Sequence, residues 1–116
     1  MVIVGDDMVA KVRVNMFPCE NKTEIEVVSN SDGDFIITVV SSCAKAKKFI
    51  EGLNPLSLTD LSNKSESKIF KKFIESDMSA NCLVLSGVLT AGWVEAGMIA
   101  RSMAKKGVPL SIEFIE

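Results

Sequence analysis

Thr23-Glu24-Ile25-Glu26-Val27-Val28, then Ser29-Asn30-Ser31-Asp32-Gly33-Asp34, then Phe35-Ile36-Ile37-Thr38-Val39-Val40: two apolar runs joined by a polar turn decide the fold. The first run alternates, with Glu24 and Glu26 on one side and Ile25 and Val27 on the other. Period two in β-branched residues is the pattern of a half-buried strand. Asp32-Gly33 is the strongest hairpin signal in the chain, because glycine enters the positive-φ region that tight turns need. The second run is almost continuously apolar, which suggests a central strand.

Upstream, residues 8–17 alternate again, and Pro18 ends the run because proline cannot donate to a ladder. Downstream, Ser42 is a natural N-cap for a helix over residues 44–51, with Ala46, Phe49 and Ile50 inward. Gly52 and Pro55 stop that helix. Residues 56–67 are polar and serine-rich and read as irregular, apart from a single turn from Thr59. Ile69, Phe70, Phe73 and Ile74 give helical spacing to residues 68–75. A long helix is expected over residues 86–105, stopped by Gly107, and residues 110–115 alternate as a last strand. The expected fold is a single α+β domain over residues 1–116, in the order β-β-β-α-α-α-β. A three-stranded antiparallel meander and the C-terminal strand form one mixed sheet with helices on one face.

Composition narrows the chemistry. The 116 residues are 47% hydrophobic and 24% charged, enough for a packed core, and carry a formal charge of −2. That balance gives no electrostatic reason to expect a nucleic-acid partner. The chain has no histidine, which excludes Ser-His-Asp and Cys-His catalysis and histidine-ligated zinc sites. Residues 82–100 carry one charge, Glu95, and approach the ~20 residues that span a bilayer. Their glycines, Ser86 and Thr90 favour instead a helix buried on most sides, with no membrane partner. Glu95 is expected to face solvent. Gly92, Ala96 and Ala100 form a small-residue stripe expected to pack on the sheet, and Trp93 lies off it. Residues 1–7 lack the basic start of a secretory signal, so a cytoplasmic location with reduced thiols is the expectation.

The chain has three cysteines, an odd number that cannot all pair internally. In the meander, the first strand ends at the top, the second descends and the third rises. Cys19 and Cys43 then share the upper rim, and a helical hairpin returns Cys82 to it. Converging thiolates are soft ligands that select zinc, copper(I) and iron–sulfur clusters. Three of them leave one coordination position open, or share a site between protomers. The plainer alternative is three packed thiols, since free cysteine is among the most buried residue types.

Cys82-Leu83-Val84-Leu85-Ser86-Gly87-Val88-Leu89-Thr90-Ala91, continuing to Val94-Glu95-Ala96-Gly97, resembles a motif of small uncharacterised cysteine-containing proteins of methanogenic archaea and anaerobic bacteria. In them a cysteine precedes V-P-x-G-[VI]-L-K-A and a later V-x-A-G. Cys19 and Ser41-Ser42-Cys43 match the other cysteine positions of that group, whereas Leu85 replaces its proline. The resemblance implies an anaerobic cytosol and the same three cysteines. The leading expectation is a small cytosolic protein whose Cys19, Cys43 and Cys82 hold a metal ion, zinc for example, or an iron–sulfur cluster. The alternatives are an interaction module, with a protein partner or as a homodimer, whose cysteines only pack, and a thiol enzyme with one activated cysteine.

Overall fold

The computed structural model describes residues 9–16 and 19–116. Three strands, β1 (Ala10–Asn15), β2 (Lys22–Ser29) and β3 (Phe35–Ser41), form an antiparallel sheet in the order β1-β2-β3. The register pairs Val12 with Ile25 and Ile25 with Val39. Ala10, Val14, Ile25, Val27 and Ile37 are buried, while Lys11, Arg13 and Thr38 between them face solvent. Arg13 reaches across to Glu24 at 3.0 Å on the polar side. Met8, Phe17 and Pro18, part of the expected first strand and its stop, lie outside the described residues, as do residues 1–7.

β3 is an edge strand, not a central one, and its apolar run is explained by what covers that edge. Phe35 exchanges backbone hydrogen bonds with Leu56, at 2.8 and 2.9 Å. The Asn54 side-chain amide then both accepts from Ile37 N–H at 2.7 Å and donates to Ile37 C=O at 2.8 Å.

The helices are α1 (Ala44–Glu51), α2 (Leu58–Ser62), α3 (Lys68–Glu75), α4 (Val84–Glu95) and α5 (Arg101–Ala104). Ala46, Phe49 and Ile50 of α1 are buried as expected. The N-cap, however, is Cys43, without a side-chain cap. Ser42 is held elsewhere: its hydroxyl accepts from Lys22 N–H and donates to Asn21 Oδ1. The stretch expected to be irregular contains α2, because Ser57 and Asp60 form a reciprocal capping box. Asp60 also accepts from Lys68 N–H at 2.8 Å, and Ser67 Oγ donates to the Asp60 carbonyl at 2.6 Å. One aspartate thereby fixes the start of α2 and its junction with α3.

The long helix ends ten residues early, at Glu95, rather than at 105. Gly97 takes φ +83°, Met98 N–H bonds Trp93 C=O at 2.8 Å and Gly97 N–H bonds Val94 C=O at 3.1 Å. This is a Schellman stop, in which a left-handed glycine lets the chain satisfy the last carbonyls. α4 crosses β1 and β2, and an added Cβ at Gly87 would lie 2.5 Å from Val14 Cγ2. Gly92 meets Leu61 of α2 rather than the sheet, and Trp93 Nε1 donates to Leu61 C=O at 2.8 Å. Glu95 does not face solvent: its side chain is 3% exposed and pairs with Arg101 at 2.7 Å. Its other oxygen accepts from Ser29 N–H and Oγ, both at 2.9 Å, which ties α4 to the end of β2.

The expected C-terminal strand is absent: no ladder forms over residues 105–116, all of them exposed. Among the described residues no helix is long and apolar enough to cross a membrane.

Candidate functional site

The register places the candidate site at one end of the sheet. Asn15 at the end of β1 pairs with Lys22 at the start of β2, and Thr23 pairs with Ser41 at the end of β3. Cys19 follows β1 and Cys43 follows β3, so both thiols occupy the same rim, as the hairpin topology requires. Cys19 is exposed, and Cys43 and Cys82 are half-buried against the core.

Polar side chains organise the loops that carry these thiols. Ser41 Oγ lies 2.7 Å from Thr23 Oγ1 and accepts from Cys43 N–H at 3.0 Å, which sets the exit of β3. Asn21 Nδ2 donates to Cys19 Sγ at 3.0 Å, and Asn21 Oδ1 accepts from Ser42 Oγ at 3.0 Å. The loop after β1 is thus bridged to the loop after β3 through a single amide. Glu20 sits at φ 66°, a left-handed conformation that costs a non-glycine residue about 1 kcal/mol or more. A shallow open groove lined by Asn15, Met16, Glu20, Asn21 and Lys22 runs along this rim.

Cys82 reaches the rim from the loop before α4. Its N–H bonds Ser79 C=O at 3.0 Å. Burial pushes the Cys82 thiol above the ordinary cysteine range, the Val84 backbone N–H pulls against it, and negative charge on Cys43 and on Cys19 pushes it up further. The loop that carries Cys82 reaches the end of β1, since Leu83 N–H bonds Met16 Sδ at 3.4 Å. The three thiols are thus carried on loops at this end of the sheet. They do not form a finished chelate: among the described residues no group of three or more His, Cys, Asp or Glu is arranged to hold a metal ion.

A fourth sulfur was passed over in the sequence. Met16 Sδ accepts from Leu83 N–H at 3.4 Å, joining the end of β1 to the residue after Cys82. The available signal was its position three residues before Cys19. An alternating strand hides it, because methionine there reads as core.

A family profile described as a family of unknown function, DUF6951, matches residues 10–107. The comparisons with curated proteins and with solved structures returned no match.

Proposed function

We propose that this chain, which belongs to the family of unknown function matched above, binds a thiophilic metal ion or an iron–sulfur cluster through Cys19, Cys43 and Cys82, for storage, transfer or sensing. What supports the reading is geometry: Cys19 follows β1 and Cys43 follows β3 at one end of the sheet, and Leu83, next to Cys82, bonds Met16 Sδ there at 3.4 Å. Sulfur donors select zinc, copper(I) and iron–sulfur clusters over hard cations. The Met16 thioether, which accepts from Leu83 N–H, is a further weak soft donor near Cys82 in the chain fold.

Loading requires local change. Asn21 occupies the Cys19 sulfur, and a bound ion takes over that contact, worth about 1 kcal/mol. The Cys82 thiol is held protonated and must lose its proton to coordinate, so affinity rises with pH. The same direction of shift disfavours Cys82 as the nucleophile of the thiol-enzyme alternative, which needs a thiolate-stabilising site.

Anaerobic, reduced protein titrated with cadmium(II) develops a near-ultraviolet sulfur-to-metal charge-transfer band, saturating at about one ion per chain. Cys19→Ser, Cys43→Ser and Cys82→Ser each abolish it, because three ligands leave none spare. Absence of the band, or its survival in all three variants, rejects the site.

A further inference from the structure

The C-terminal segment and the edge of β1 are two unpaired halves of one ladder. Residues 108–116 make no hydrogen bond or ion pair to the rest of the chain among the described residues. From Val108, 76% exposed, to Ile115, 90% exposed, the segment shows its apolar side chains to solvent. Leu110, Ile112 and Phe114 alternate there with Ser111 and Glu113, the period of a strand with one apolar face. An extended apolar segment with free backbone groups is a template for pairing with another chain.

Among the described residues, the β1 edge of the sheet offers a place for it. Phe35 and Ile37 turn their backbone groups outward to Leu56 and Asn54, which closes that part of the β3 edge. Strand alternation then turns Ile36, Thr38 and Val40 toward β2. By the observed register, Thr23, Ile25 and Val27 of β2 bond to Val14, Val12 and Ala10 of β1. The N–H and C=O groups of Lys11, Arg13 and Asn15 are left facing outward, and β1 has no neighbour on that side among the described residues.

Faces and charges also match. Lys11 and Arg13 project on the solvent face, while Val12 and Val14 lie on the face crossed by α4. A strand that sets Glu113 beside Lys11 and Arg13 puts Ile112 and Phe114 beside Val12 and Val14, in continuity with the core. The β1 strand is six residues long, and residues 110–115 match it. The tail of the same chain is directed elsewhere. Leu110 lines a groove with Ser86, Leu89, Thr90, Trp93 and Ile99, on the side of α4 turned away from the sheet. We infer that the C-terminal segment of one copy adds as a fourth strand to β1 of a second copy, and the reciprocal exchange closes a two-fold dimer.

The test uses the full chain, reduced and with chelator present, so that a metal-bridged dimer is excluded and the outcome is independent of the thiol site. Light scattering gives a dimer. The double variant Ile112→Pro/Glu113→Pro, which removes a ladder donor whichever way the segment runs, gives a monomer that still unfolds cooperatively, at a melting temperature lowered by the loss of the dimer. Backbone amides of Lys11, Arg13 and Asn15 exchange about tenfold or more slowly in the wild type than in Ile112→Pro/Glu113→Pro. Glu113→Lys weakens the dimer, most at low salt. A wild-type monomer at all concentrations overturns the inference. So does a dimer that survives Ile112→Pro/Glu113→Pro, or slowed exchange at those amides in a monomer, which would mean pairing within one chain.

Discussion

Cys82 carries the chemistry of the rim in its own titration. Burial and two neighbouring thiols hold it protonated, while Cys19 is exposed to reagents. Alkylation at neutral pH proceeds through the thiolate, so Cys19 reacts faster than Cys82, by about tenfold or more. Mass spectrometry of partially labelled protein reads the order directly. In the Cys19→Ser/Cys43→Ser variant two of the groups opposing ionisation are gone, and the pH at which Cys82 becomes reactive falls. An unchanged profile would mean that the three sulfurs are not neighbours. The residue scale is also where the sequence was least informative. Glu95 looks like a solvent-facing charge on an apolar helix, and only the arrival of Ser29 and Arg101 from elsewhere explains it.

Asp60 shows how an element can rest on one carboxylate. Burial raises its pKa, but N–H groups of Lys68 and Ser57, the Ser57 hydroxyl and the Lys68 charge outweigh burial and hold it below the ordinary aspartate value. A lowered folded-state pKa gives stability that is full above the unfolded value of about 3.9 and lost as pH falls through the folded value. Asp60→Asn costs about 2 kcal/mol in denaturant unfolding at neutral pH, since a donor amide faces N–H groups. The gap from wild type narrows below about pH 4. In α4, Gly87→Ala presses on Val14 and Ile25 and destabilises by about 1–2 kcal/mol despite the gain in helix propensity. Gly92→Ala costs less, because it meets the flexible end of Leu61. Thermal melts of the two variants order them. The hairpins, α1 and α3 were legible because periodicity and turn residues are local. The capping box of α2 was hidden in a serine-rich stretch whose N3 residue is aspartate rather than glutamate. The stop of α4 was misjudged because Gly97 was counted with the small residues of a continuing helix instead of as a left-handed terminator. The last strand was misplaced because pairing depends on which edge is open. No local pattern reveals that Asn54 and Leu56 cover β3.

At the scale of the whole molecule, the antiparallel meander separates the two proposed sites. The proposed thiol site lies at one end of the sheet, and the proposed route to self-association runs along the edge of β1. Cys19 and Cys43 could be placed together from the strands alone, because two hairpins return the chain to the same end. Cys82 needed the packing of α4, and Met16 needed its contact with Leu83. The central claim is that sulfur from this rim holds a metal. X-ray absorption at the metal edge of anaerobically loaded protein tests it most directly. A first shell of three sulfurs, at about 2.3 Å for zinc, is the expected result. A shell of oxygen and nitrogen alone, or protein that retains no metal after gel filtration, would contradict it.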